Sequence, residues 1–454
     1  MIAARLRRLA AGTAGALLVW LVLPASAAAH TLNATYESRL PLAVYLVGAA
    51  TTVALSFAFV IVRDVRAVEP SAAGAGWLPP AALRIALRAA GLIGWAWIMI
   101  QGIAGGSSDG SVATLFLWVY GWVGVAILSA VAGPIWQFLD PFSTLHDVGA
   151  WVFRRVGMAG WEPAGYPERL GSWPAVAAFA GFVWVELVAL AGPSTLFVVL
   201  LGYTAYTLAM MAQFGRDAWR SHGEAFTVWF RLLGRLAPFA LVDEDGRVRR
   251  RPFASGLLER GWTAADVTLV SLGVGSILFD GLSQTQIFFD LFGAPGLPVK
   301  TLLLLAFLGI IVLAAFAVTR TVGLAATGAG LLPIALGYLI AHYLTYLLID
   351  GQRIVIAVSD PLQKGWNLFG TAFYTPSGSW LPPGLVWTLQ LAAVVGGHML
   401  GAWGGHVVAA NSAAPGLGTR ALRVLQLPLA VVMVGLTTLT LWSLGQAIVV
   451  NPAS

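Results

Sequence analysis

Leu302-Leu-Leu-Leu-Ala-Phe-Leu-Gly-Ile-Ile-Val-Leu-Ala-Ala-Phe-Ala-Val-Thr319 is a run of eighteen residues with no charged or amide side chain, and Arg320 closes it. At 1.5 Å of rise per helical residue it covers ~27 Å, close to the ~30 Å hydrocarbon core of a bilayer. A run this uniformly apolar offers no face to water. Lipid offers no partners to a bare backbone, so a segment that crosses it is either a helix or a strand of a closed barrel. The run shows no period-two alternation, which leaves the helix.

The same pattern recurs on both sides. Apolar stretches lie at 40–62, 85–104, 112–135, 173–191, 194–214, 266–283, 302–319, 325–349, 384–409 and 424–449. The expected fold class is therefore all-α, a polytopic transmembrane helical bundle of about ten spans. Composition agrees. The 454 residues are 58% hydrophobic and 10% charged, with a mean hydropathy of +0.81, whereas soluble domains carry roughly 25% charged residues. A lipid bilayer is the implied partner. There is no cysteine, which excludes disulfides, thiolate metal sites and a cysteine nucleophile.

Residues 1–29 read as a signal peptide or an N-terminal anchor. Arg5, Arg7 and Arg8 precede an apolar run that ends in Pro24-Ala-Ser-Ala-Ala-Ala-His30, where small residues fit a peptidase site. Cleavage after Ala29 exposes His30, whose amine and imidazole together make a copper chelate. Residues 30–454 read as one transmembrane domain. With residue 30 outside, 22 of the 26 Arg and Lys residues fall at or beside the inner face, all but Arg39, Lys300, Arg353 and Lys364. Cytoplasmic loops collect Arg and Lys, so the mature N-terminus is expected outside a plasma membrane.

Two loops stand out. The inner loop 215–265 begins with Gly223–Leu236, which reads as an interfacial amphipathic helix. A small hairpin over Ala240–Arg249 follows, with Asp245-Gly246 as its turn. Arg247, Arg249, Arg250 and Arg251 then read as anchors against anionic lipid. No basic domain or base-stacking motif suggests nucleic acid. The outer loop 350–383 is polar and longer than a simple connector needs.

Ionisable groups at membrane depth are costly and mark candidate sites. Gln101, Glu186 and Asp280 stand near the outer ends of their spans, and His342 lies in the outer half of the eighth. His342, Tyr346 and Asp350 share one helix face that climbs towards Arg353. Asp280, His342, Asp350 and Arg353 are the candidate catalytic residues of an outward-facing pocket. The plainer alternative reads Asp280 and Asp350 as solvated helix ends, Glu186 as protonated or reaching water, and His342 as a structural hydrogen-bond partner. In the ninth span, Gly397, Gly401 and Gly405 recur at four-residue steps and permit close helix packing. His398 and His406 stand ~12 Å apart along that helix, too far for one ion. Either reads as packing, as a haem ligand or as a further ligand beside His342. No phosphate loop or His-Glu-x-x-His motif is present.

An ordered set of short segments carries a resemblance: Ala29-His30, Arg39-Leu-Pro-Leu42, Gly133-Pro-Ile-Trp136, Asp140-Pro-Phe-Ser-Thr-Leu-His146, Phe182-Val-Trp-Val-Glu-Leu187, Gly223-Glu-Ala-Phe226, Phe279-Asp-Gly281, Ala341-His-Tyr-Leu344, Gly351-Gln-Arg353 and Ser359-Asp-Pro-Leu362. Together they resemble a bacterial membrane-protein family known as fenitrothion hydrolase. The resemblance implies hydrolysis of an organophosphorus ester, a phosphorothioate triester that releases a nitrophenol. Such chemistry needs an activated water and a stabiliser of negative charge, and a divalent metal commonly supplies both. The resemblance assigns no residues; in this sequence the candidates for that chemistry are Asp280, His342, Asp350 and Asp360 around a metal or water, with Arg353 on the developing oxyanion, and His398 joins His342, Asp350 and Asp280 as a candidate metal ligand. Three other readings stand beside this one: a permease, a metal- or haem-handling subunit, and a structural subunit without a site.

Overall fold

A computed structural model describes residues 76–105, 111–157, 162–189, 192–243, 246–413 and 417–444, with isolated positions at 48, 51 and 55. The signal or anchor segment, His30 and nearly all of the expected span 40–62 lie outside the described residues. The described chain is mostly helical. Its longer helices are α1 (Ala81–Ala104), α2 (Val112–Ala132), α3 (Pro141–Arg155), α4 (Trp173–Ala189), α5 (Pro193–Phe214), α6 (Arg216–His222), α7 (Ala225–Leu233), α8 (Ala264–Ser283), α9 (Leu297–Ile349), α10 (Pro383–Asn411) and α11 (Thr419–Leu444).

Among the described residues, seven helices are long and apolar enough to cross a membrane: α1, α2, α5, α8, α9 with its extension to Ser359, α10 and α11. Straight, a helix as long as α9 would reach ~80 Å, more than twice a bilayer core. Gly323 breaks it at φ 84°, ψ 165°, which a glycine adopts without a Cβ clash. The two rods, 297–322 and 324–349, contain the expected spans 302–319 and 325–349. α4 is shorter, and from Val185 to Ala189 it widens into a π-helix; Leu115–Val125 in α2 does the same.

α8 is the buried centre. Every residue from Ala265 to Phe279 is buried. Its start is fixed by a capping box, in which Thr263 accepts from the Asp266 amide while the Asp266 carboxylate accepts from the Thr263 amide and hydroxyl. α10 lies close against the second rod of α9 through the glycine stripe. A Cβ on Gly397 would stand 2.5 Å from the Pro333 carbonyl oxygen, and one on Gly401 would stand 2.3 Å from that of Gly330. The expected tight helix pair is therefore present, and the glycines are what let the backbones approach.

The segment expected to be an interfacial helix is placed differently. α6 ends before it at His222, and within it α7 buries Ala225, Phe226, Val228, Trp229, Phe230, Leu232 and Leu233 inside the protein. Trp229 stacks on Trp122 with ring centroids 5.9 Å apart and packs on Phe179 at 5.2 Å. An apolar stripe matches a protein core as well as it matches lipid, and here neighbouring helices take it. The expected hairpin is present as strands β1 (Phe239–Leu241) and β2 (Val248–Arg250), with Ala240 paired to Arg249. Asp245 lies outside the described residues. Of the arginines expected to hold lipid, Arg251 instead donates to the carbonyls of Ala237 and Gly234 and to Glu259, which Arg249 also reaches at 3.2 Å.

Gly401→Ala forces backbone apart and is expected to cost about 1–3 kcal/mol through overpacking. Gly396 has nothing within 4 Å of its Cβ position, so Gly396→Ala is expected to leave stability unchanged or slightly raised. Thermal unfolding of both variants in detergent checks this; equal stability would contradict the close approach.

Candidate functional site

Asp280 ends the buried helix α8, and His342 projects from the second rod of α9. The two meet: His342 Nε2 lies 2.9 Å from Asp280 Oδ2. Tyr343, the next residue, donates from its hydroxyl to the same carboxylate oxygen at 2.9 Å and reaches Glu186 Oε1 at 3.3 Å. Gln284, one turn beyond Asp280, donates to Asp280 Oδ1 at 2.8 Å. Glu186 sits in the π-helical end of α4, a widened turn of the kind often found at functional sites. Its Oε2 is buried without a hydrogen-bond partner.

The result is a chain of proton-bearing groups, Glu186–Tyr343–Asp280–His342, drawn from three helices. It is not sealed. The side chains of Asp280 and His342 are 17% and 19% exposed. With Nε2 held by the carboxylate, the imidazole has one fixed orientation and leaves Nδ1 for other chemistry.

The other expected members lie elsewhere. Asp350 begins a 3-10 turn at the end of α9 and holds Arg353 at 3.0 Å. It stands two turns, ~12 Å, beyond His342 along the helix. Asp350, Arg353 and Tyr346 line a cleft of about 260 Å3 with Ser111 and Thr114. Tyr346 connects this cleft to the dyad, its ring 6.4 Å from that of Tyr343. Asp360 caps a turn of the 350–383 loop, accepting from the amides of Lys364 and Gly365. Gln101 ties that loop down, donating to the Pro361 carbonyl while accepting from the Val112 amide. His398 is fully buried and pairs with Thr437.

These positions do not fit the expected metal centre. Among the described residues, no group of three or more His, Asp or Glu could hold a metal ion. The imidazole Nε2 of His342 is engaged by Asp280, Asp350 is engaged by Arg353, and His398 faces a different helix pair.

A second polar cluster, not expected as a site, lies at the end of the bundle that carries the 215–265 loop. Glu224, with no exposed surface, accepts from the amides of Phe226 and Thr227, the hydroxyls of Thr227 and Tyr203, and the indole of Trp136. Asp140 caps α3 through the Phe142 and Ser143 amides and lies 3.1 Å from Arg220, whose guanidinium also donates to Gln137 at 2.6 Å. Gln137, Arg220, Arg235, Arg251, Glu259 and Asp266 are among the residues that line a cleft of about 670 Å3. Burial pushes the Arg235 guanidinium below its ordinary value, with Asp266 and Glu259 opposing the shift. An acid just before a helix, Asp140-Pro141 or Glu224-Ala225, marks a helix start in sequence. Its burial comes from tertiary packing and has no local signal.

Glu224→Ala leaves several buried donors without an acceptor, each at ~1–3 kcal/mol. The expected loss is about 3 kcal/mol or more, with Glu224→Gln milder because one oxygen remains. Denaturant unfolding of the solubilised protein measures it, and an alanine variant as stable as wild type would contradict this role.

No protein-family model, no curated protein and no solved structure matches the chain.

Proposed function

We propose that the chain is a multi-pass plasma-membrane protein of about ten spans, with its mature N-terminus outside, and that it is a hydrolase of organophosphorus esters whose centre faces the extracytoplasmic side. The observation that carries the proposal is the His342–Asp280 pair, 2.9 Å apart and partly open, built from side chains on two different helices. The sequence resemblance supplies the substrate class.

In this reading Asp280 holds the imidazole in one tautomer and stabilises the imidazolium that forms, as a carboxylate does behind a general base. Nδ1 of His342 takes a proton from a water molecule as its oxygen attacks phosphorus. The bond from phosphorus to the aryloxide oxygen breaks, and the nitrophenolate leaves with its electron pair. The proton on His342 passes to solvent or to the departing phenolate. Arg353, the expected oxyanion partner, is held by Asp350 in the neighbouring cleft, two turns or more beyond His342, and supplies no charge to this step. Tyr343 and Glu186 orient Asp280 from behind. No step passes through a metal, because the candidate ligands do not converge.

Purified protein in detergent is expected to release nitrophenol from fenitrothion, with turnover unaffected by a chelator. Loss of a general base lowers rate ~10²–10⁴-fold, which is the fall expected for His342→Ala, with a smaller one for Asp280→Asn. Release that is unchanged in His342→Ala would overturn the assignment. No release from wild type would shift the reading to a permease.

A further inference from the structure

A line of buried polar groups continues from the His342–Asp280 centre into the bundle, along the seam between the second rod of α9, α10 and α11. At the outer end, a Cβ on Gly281 would stand 3.1 Å from Ser443 Oγ and 3.7 Å from His342 Cε1, so α11 borders the dyad. One turn deeper than His342, Tyr338 donates to Thr437 Oγ1 at 3.3 Å, and Thr437 pairs with His398 Nδ1. Two turns further along α10, His406 Nδ1 lies 2.7 Å from Gln426 Oε1. Tyr338, Thr437 and His398 have no exposed surface, and Gln426 and His406 are 2% and 6% exposed.

Each of these pairs ties α11 to α9 or α10, whereas the glycine stripe brings α10 against α9. Polar side chains kept within apolar spans carry a cost and mark ion or proton routes. Two details point to proton movement. The Thr437 hydroxyl reaches both the Met433 carbonyl and His398 Nδ1, and which of Thr437 and His398 donates to the other is set by the imidazole tautomer. The Gln426 amide nitrogen is buried without a partner, a place for a transient donor or acceptor such as water.

We propose that this seam is a proton path between the two ends of the bundle, with His398 as the carrier between the His342–Asp280 centre and the His406–Gln426 pair. His398 pairs with Thr437, which in turn accepts from Tyr338; the carboxyl groups lie at the outer end, on Asp280 and Glu186. The ~12 Å step between His398 and His406 crosses the packed zone of Gly401, Gly405 and Met433, so it requires a shift of α10 against α11 that admits water. The proton enters at one end, leaves at the other, and moves down its electrochemical gradient. The proposal does not depend on hydrolysis.

The test uses the full chain in liposomes with an entrapped pH indicator, and a potassium diffusion potential set with valinomycin. Wild type is expected to carry protons well above the protein-free rate. Flux is expected to fall at least tenfold in His398→Ala and equally in His398→Gln, which keeps volume and hydrogen-bonding capacity but cannot carry the proton. Gly396→Ala is the control and keeps its flux. Wild-type vesicles no faster than protein-free ones, or flux retained in His398→Gln, would overturn the path whatever the nitrophenol assay shows.

Discussion

A polar side chain inside an apolar helical bundle must find a partner in the protein, because lipid supplies none. This constraint organises the described structure. α8 is buried from Ala265 to Phe279 and is closed at each end by a carboxylate. Asp266 is absorbed by the capping box with Thr263, and Asp280 is held by His342, Tyr343 and Gln284. The two acids stand fourteen residues apart, ~21 Å along the axis. Each end of the bundle therefore has its own polar centre, and the aromatic packing of Trp122, Phe179 and Trp229 helps fill the core shared by α2, α4 and α7.

The two centres are built for different tasks. Around Glu224, every contact runs from a fixed donor to a fully buried carboxylate, and the cluster locks α5, α7 and the Trp136 turn together. Around Asp280, the donors include an imidazole that is partly exposed and able to change protonation, and beyond it Glu186 keeps one oxygen without a partner. The first arrangement stabilises. The second leaves proton positions open, which is what acid–base chemistry needs. The seam through Tyr338, Thr437 and His398 extends that second arrangement into the interior rather than towards the surface.

Much of the architecture was legible in the sequence because helix length and apolarity are local properties. The glycine steps at Gly397, Gly401 and Gly405 announced a close pair, and the Ala240–Arg249 hairpin was readable from its turn. The site was legible only in part. The four-residue stripe of His342, Tyr346 and Asp350 assumed one continuous helix, yet Asp350 enters a 3-10 turn and pairs with Arg353. The decisive partner of Asp280 besides His342 is Tyr343, on an adjacent helical position that spacing arguments pass over. Burial of α7 was missed for a physical reason: Phe226, Trp229 and Phe230 offer the same apolar face to a protein core as to a membrane surface. Of the expected metal ligands Asp280 and His342 meet, whereas Asp350 pairs with Arg353 and His398 with Thr437.

The central claim is that Asp280 and His342 act as one unit, and a double-mutant cycle tests it most directly. Unfolding free energies of wild type, Asp280→Ala, His342→Ala and the double variant would be measured in the same detergent. Interacting pairs show coupling of ~0.5–3 kcal/mol, and a pair this close and only partly open to solvent is expected to give about 1 kcal/mol or more. Additive losses, with coupling within about 0.3 kcal/mol of zero, would mean that the two side chains do not meet, and the account of the site would fail with them.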